Sequence, residues 1–460
     1  LLRLQGKTAA AEASLRATLA AERQAFGSGD HQTLDTLNSL AVLLADRGDA
    51  AAAEPLCREL VDRYDDLLGP AHPETLNARN SLAGVLAQRE NFGEALPLLR
   101  EVLARYRELL GDEHPFTTTT MHTLGTTLQR AGRAEEALPF LREAIDGRRR
   151  VLGAAHDETL ATIVETAQLL LGLGEWTDAE RTAREAWDAC SRFRPDHVAR
   201  CNAALALGSA LREQNRLPEA LPFLRDAVAG FRRALGDDHP STLAALNMLG
   251  VTLWSAGRAE QAVPHLRECH ERQRAQLGPD DPATLHVAAN LGINLHESGQ
   301  SEAALPLLEG AWRAFAHDPA FAWVGQNLLA VRTKLGSRDV AIALRGEVLA
   351  ACRAATPPNS VELTVALVEI AQSALDLGDW DAAEQLLREA VAIRAREQPE
   401  AWNTWNAKSM LGGALLGQGK FAAAESLLVA SAEQLLPRAS SLPERAKPRI
   451  GEAVARVVSL

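Results

Sequence analysis

Residues 110–153, LGDEHPFTTTTMHTLGTTLQRAGRAEEALPFLREAIDGRRRVLG, are the unit that the rest of the chain copies with variations. Pro115 stands where a first helical turn would begin, a position at which its missing N–H costs nothing and its fixed φ already suits a helix. His114 precedes it. Met121, Leu124, Gly125 and Leu128 then fall at offsets of three and four, which draws one apolar stripe down a 3.6-residue period. Gly132 closes this first helix. Glu136, Ala137, Leu141, Ala144 and Ile145 repeat the spacing in a second helix, which Gly153 ends. The stretch is an antiparallel helical hairpin, and one hairpin cannot hide two apolar stripes from water. It has to stack on copies of itself.

The copies are present. Gly27, Gly69, Gly111 and Gly153 are spaced 42 apart, and Gly236 and Gly278 resume the step. The shared pattern is LGxxHPxTL, then NxLA or LG, then G(R/K)xxEAxP(L/F)LREA. This pattern resembles the tetratricopeptide repeat in its 42-residue form, found in kinesin light chains and many bacterial proteins. The resemblance covers nearly the whole chain. It includes a ladder of small residues where helices cross closely: Ala53, Ala95, Ala137, Ala179, Ala220, Ala262, Ala304, Ala341, Ala383 and Ala424. It implies an all-α fold, a right-handed α-α superhelix or solenoid of stacked antiparallel helix pairs.

The repeat frame assigns residues 1–436 to one array: a half repeat over 1–26 and ten helix pairs over 27–436. Residues 437–460 are expected to be a linker and a C-terminal capping helix. The pair from His156 diverges, lacking both the proline of its second helix and the closing Leu-Gly. The step from Pro282 to Pro319 is shorter than the others, so the second helix of that pair, or its following loop, should be about five residues shorter than its counterparts. Limited proteolysis is expected first at these weak joints, around residues 192–195 or 317–320. Prolines 55, 97, 139, 222, 264 and 306 fall early in second helices, where most backbone donors are expected to lack intrahelical partners anyway. The chain opens without Met and is expected to be a fragment. Its last stretch, RIGEAVARVVSL, resembles the final helix of repeat arrays that follow the kinase domain in bacterial serine/threonine kinases.

Composition narrows the partners. The chain has 460 residues and a net charge of −12, which argues against general binding to phosphate backbones, since that relies on clustered Lys and Arg. Nucleic acid is therefore not an expected partner. Neither is a membrane, for no 18-residue apolar run and no signal-peptide pattern occurs. Cysteines 57, 190, 201, 269 and 352 stand singly within helical segments, without CxxC, so reduced packed thiols and a cytoplasmic location are expected.

Little in the sequence points to catalysis. His265, Cys269 and His270 lie within a turn and a half, but Cys269 holds the packing position that Ala144 and Ala227 hold elsewhere, and no metal is expected. His72, His114, His156 and His239 recur before helix starts and are turn residues. There is no GxxxxGK(S/T), nucleophile elbow, HExxH or kinase motif, so neither enzyme activity nor a cofactor is expected. In the family that the chain resembles, one face of each first helix lines an inner surface. On that face lie Asn38, Asn80, His122, Arg130, Arg212, Asn247, Trp254, Trp323, Gln326 and Lys334, the expected peptide-binding residues. The same positions also suit a solvated face that tolerates Asn and Gln. Asn is a poor interior helix former, so its recurrence at 38, 80 and 247 points to a fold constraint or a contact. The expectation is a non-catalytic scaffold binding a protein or peptide, an acidic one given Arg130, Arg212 and Lys334. The alternative is the regulatory or sensory region of a larger bacterial serine/threonine kinase or signalling ATPase. Oligomeric state is not encoded in any of these features.

Overall fold

The computed structural model describes residues 8–193, 197–316, 318–437 and 455. The expected capping helix and the kinase-like tail lie outside them, apart from residues 437 and 455, as do residues 1–7 of the expected half repeat. So do residues 194–196 and 317 of the two expected cleavage regions. The described residues are all-α, with twenty-one α-helices that pack in consecutive pairs within each of two units.

The chain divides into two compact units, residues 1–234 and 235–460. The first holds α1 (Thr8–Ala25), α2 (His31–Asp46), α3 (Ala50–Leu68), α4 (Pro73–Gln88), α5 (Phe92–Leu110), α6 (Pro115–Arg130), α7 (Ala134–Leu152), α8 (Asp157–Gly172), α9 (Trp176–Phe193), α10 (Val198–Glu213) and all but the last residue of α11 (Leu217–Leu235). The second holds α12 (Pro240–Ser255), α13 (Ala259–Leu277), α14 (Pro282–Glu297), α15 (Ser301–Phe315), a 3-10 turn (Pro319–Phe321), α16 (Ala322–Lys334), α17 (Arg338–Ala355), α18 (Val361–Asp376), α19 (Trp380–Glu397), α20 (Trp402–Gly417) and α21 (Phe421–Leu435).

The LGxxHPxT motif now has a physical account. Gly111 follows α5 with φ of 84°, a left-handed value that only glycine adopts without strain, and its N–H bonds to Arg107 O. Its carbonyl accepts the Thr117 hydroxyl at 2.7 Å. His114 Nδ1 accepts the Phe116 N–H at 3.2 Å, capping α6, and Pro115 occupies the first helical position. The threonine bond repeats at Thr75 to Gly69 and Thr242 to Gly236. The recurring histidines are thus N-caps, joined in that role by His197. Asp30 and Asp281 do the same work elsewhere, so what the position requires is a side-chain acceptor.

Between the two helices of a pair the backbone approaches closely. All ten alanines of the ladder are fully buried. A Cβ on Gly125 would lie 2.6 Å from Leu141 Cγ and 3.4 Å from Ala137 O, and Gly208, Gly292 and Gly412 meet the same pairing of leucine and alanine carbonyl. Leucines and alanines from neighbouring pairs interleave into successive small cores, as expected when each pair rests on its neighbours. On the outside of the first unit, second helices are tied by ion pairs 36 residues apart, Arg23 to Glu59, Arg58 to Glu94, Arg100 to Glu136 and Arg142 to Asp178. Each exposed pair contributes ~0–1 kcal/mol.

Two expectations need refinement. The recurrent proline is the sixth residue of its helix in α3, α5, α7, α11, α13 and α15, beyond the first four donors that lack partners. It therefore removes an intrahelical bond, in α3 the one to Ala51 O. The shortened step is located in the helix itself: α15 has 15 residues where α13 has 19. Phe315 at its end stacks on Phe321 at 4.0 Å, with His286 edge-on to Phe321.

Candidate interaction groove

In α18 the residues Val365, Val368, Glu369, Gln372, Ser373 and Asp376 follow steps of three and one, which places them on one face of a helix. They line a cavity of about 1290 Å³ within the second unit, together with the same faces of α12, α14, α16 and α20. Trp254, Trp323 and Trp402 contribute indoles, and Val365 is an exposed apolar side chain on its wall.

The amides of this face are oriented by their own helices. Asn294 Nδ2 donates to Asn290 O at 2.8 Å, and Asn327 Nδ2 donates to Trp323 O at 2.8 Å. Each turns its NH2 group back one helical turn and leaves its carbonyl oxygen as an acceptor. Asn294 is 2% exposed and its Oδ1 has no partner. Gln326 Nε2 reaches Cys352 Sγ at 3.0 Å, and Gln372 Nε2 donates to Asp376 Oδ1 at 2.8 Å. Burial, helped by the nearby Lys334 ammonium and opposed by Glu297, keeps the His296 imidazole below its ordinary pKa. Its Nδ1 meets Ser301 Oγ at 2.9 Å. The wall also carries the acidic side chains Glu297, Glu369 and Asp376 and the basic Lys334.

A tetratricopeptide repeat profile matches residues 33–108, 74–150, 116–192, 158–233, 199–275 and 253–314, and a second profile of the same description matches 364–397. The chain belongs to the tetratricopeptide repeat family. No curated protein matches it. Among solved structures, this tetratricopeptide repeat protein is similar to the nearly identical TPR-like repeats of a Podosopora anserina protein assigned as a kinesin light chain, with 25% identity, 45% of this chain and 98% of that one covered, and a TM-score of 0.40. It is also similar to the apo form of RapI, with 12% identity, 80% and 99% covered, and a TM-score of 0.56. BtubC from P. vanneervenii is 17% identical over 50% and 92% of the two chains, with a TM-score of 0.43. The RapI likeness shows the fold alone. Tandem tetratricopeptide repeats support a protein-interaction scaffold, and the fold is typically non-catalytic.

Of the residues expected from sequence to contact a peptide, Trp254, Trp323, Gln326 and Lys334 line the groove. Asn247 is not among the lining residues but accepts from one of them, Asn290 Nδ2 at 3.0 Å, so its carbonyl oxygen ties two repeat helices together. His122 does the equivalent in the first unit, where Nε2 meets Glu165 Oε2 at 2.5 Å. Asn38 and Asn80 are half-buried, with Asn80 Oδ1 unpartnered. Arg130 is exposed near Gln88 O, and Arg212 pairs with its neighbour Glu213. These five belong to the first unit. Of the three positive groups from which an acidic ligand was expected, Arg130 and Arg212 belong to the first unit and Lys334 to the groove wall of the second. Sequence reasoning missed Asn290, Asn294, Asn327, Glu369, Trp402 and Asn406, although counting every i+3 and i+4 neighbour of the stripe would have found the α18 set. Cys269 is fully buried, donates to Leu243 O at 3.2 Å, and has its thiol pushed up to about 12 by burial. It is a packing residue.

Proposed function

We propose that this tetratricopeptide repeat protein is a non-catalytic scaffold that holds an extended peptide segment of a protein partner along the inner faces of α12, α14, α16, α18 and α20. The observation that carries this reading is the groove itself. Its volume exceeds the roughly 300–1,000 Å³ of small-molecule sites, and its wall alternates amides with indoles. Amides pair with a peptide backbone at ~1 kcal/mol net each, while indoles supply the larger apolar anchors. Trp254, Trp323, Gln326 and Lys334 are the proposed contacts, with Asn247 supporting Asn290. Asn38, Asn80, His122, Arg130 and Arg212 are proposed as a subsidiary contact surface on the first unit, where Arg130→Ala with Arg212→Ala tests their share. Five buried cysteines, none of them in a disulfide, support a reducing, cytoplasmic setting, and the acidic net charge supports a protein rather than a nucleic-acid partner. No described helix is long and apolar enough to cross a membrane.

The test is selection of displayed random dodecapeptides on the full chain. Enriched peptides should lose at least tenfold in affinity on Trp323→Ala with Gln326→Ala. Full binding by that variant, with helicity unchanged, would place the peptide site elsewhere.

A further inference from the structure

The ion pairs that join second helices obey one rule, an arginine meeting a carboxylate 36 residues further on. Arg58 to Glu94, Arg100 to Glu136 and Arg142 to Asp178 form one row. Arg107 to Glu143 and Arg149 to Glu185 form a second, and Arg353 to Glu389 follows the rule in the second unit. Arg100 and Arg107 of α5 are seven residues apart, as are Glu136 and Glu143 of α7 that receive them. A step of seven keeps both members of each pair on one helix face, about 10 Å apart. At α13 the rule breaks. Arg267 and Arg274 hold the two donor positions, but the residues 36 further on, in α15, are Ala303 and Gly310. Both arginines are exposed, and their side chains make no hydrogen bond or ion pair with any described residue. Since α13 and α15 both pack on α14, the unmatched positions border one furrow on the second unit. Packing does not explain the glycine on its far side. A Cβ on Gly310 would meet only Leu285 Cδ2, at 4.0 Å, whereas one on Gly125 would collide with Leu141. Glycine inside a helix weakens it, so Gly310 keeps this side of the furrow low at a cost. Nearby charges are Glu260 and Glu271 on α13 and Glu302 and Arg313 on α15. Flanking acids do not stop such arginines from taking a carboxylate across the gap. In α7 the order is the same, Glu135, Arg142, Asp146, Arg149, and its arginines still meet Asp178 and Glu185.

We propose that the furrow between α13 and α15 docks an acidic helix of a partner protein, with two carboxylates seven residues apart received by Arg267 and Arg274 and its backbone lying close over Ala303 and Gly310. Charge complementarity commits the surface to this occupant. The chain's own ion pairs show that guanidinia at this spacing accept carboxylates at the same spacing, and planar guanidinium–carboxylate contacts fix register as well as sign. None of these residues lines the peptide groove, so the surface is a second attachment point on the scaffold.

Two fluorescein-labelled, alanine-rich helical peptides of equal composition test the proposal on the full chain. One carries its glutamates on a single face at steps of seven, and the other spreads them around the helix. Anisotropy is read at low ionic strength, because exposed pairs are individually weak and salt screens them. The single-face peptide should bind at least fivefold more tightly than its isomer. Arg267→Ala with Arg274→Ala should abolish that preference. Ala303→Glu with Gly310→Glu should abolish it too, by completing the ion pairs from within, while leaving the melting temperature equal or higher, a combination that a folding defect cannot produce. Equal binding of the two isomers, or a preference that survives the arginine variant, would overturn the proposal. Displacement by polyphosphate as effective as by unlabelled peptide would show that anionic charge alone is read, and would overturn the commitment to a helix. A dimer of the chain that the arginine variant abolishes would assign the furrow to a second copy instead. Loss of the preference on Trp323→Ala with Gln326→Ala, but not on the arginine variant, would place the peptide in the groove and sink this inference alone.

Discussion

Ala53 and Ala51 stand two residues apart in α3, yet the fold treats them oppositely. Ala53 is fully buried on the ladder, within the core that joins α2 to α4, whereas Ala51 is exposed. Leucine at either position changes helix propensity little, because Ala and Leu are both strong helix formers. At Ala51 the added carbons meet solvent, and the change should stay within ~0.5 kcal/mol. At Ala53 they must enter a space in which no atom is exposed. Overpacking of this kind costs ~1–3 kcal/mol, and a helix crossing with no room on either side belongs near the upper figure. Because each pair rests only on its neighbours, the loss should be local. About 3 kcal/mol corresponds to ~100-fold in opening equilibrium, at ~1.4 kcal/mol per decade. Hydrogen exchange followed by mass spectrometry should therefore show protection in residues 31–88 falling by about that factor for Ala53→Leu, with residues 240–435 unchanged. Ala51→Leu should match the parent. Equal protection in the two variants would refute the close-crossing account of the ladder, and a uniform loss along the chain would refute its locality.

The other expectations are briefer. His114→Ala should destabilise the start of α6 by ~1 kcal/mol through loss of its cap, whereas His114→Asp should restore protection, as Asp281 does for α14; equal loss in both would deny the capping role. Burial pushes the Cys57 and Cys269 thiols up to about 11 and about 12, while the unfolded chain loses these protons from about pH 8.5. The native state then holds more protons, so stability should fall as pH rises from there towards 12. Urea midpoints should drop between pH 7.5 and 10, and drop less in Cys57→Ala with Cys269→Ala; an identical drop would exclude the thiols as the cause. Thiol reagents at pH 8 should label none of the five buried cysteines until the chain unfolds, and rapid native labelling of Cys269 would contradict its packing role.

Periodicity made the helices and their order readable from sequence. A step of 42 between turn glycines and a ladder of alanines fix which residues turn and which cross, because both demands act on single positions and repeat in every copy. The role of His114 as a cap was half-legible, since its place before Pro115 marked a turn but not which atom accepts. The prolines do fall early in second helices, but past the donors that lack partners, which the sequence could not show because it does not print where a second helix starts, and Ala50 precedes the apparent stripe. The groove was the least legible feature. Trp254, Trp323, Gln326 and Lys334 follow from register, but Asn247 is spent on Asn290, and the α18 wall residues join those of α14 and α16 only around a shared cavity. That juxtaposition is tertiary and has no period.

The most direct test of the account is a hydrogen-exchange footprint of the full chain with and without the tightest dodecapeptide from the display selection. The account predicts that peptide slows exchange in residues 282–297, 322–334 and 361–376, the three helices that contribute most of the groove wall. Slowed exchange confined to α13, α15, α17 and α19 or to the first unit, with those three unchanged, would contradict it.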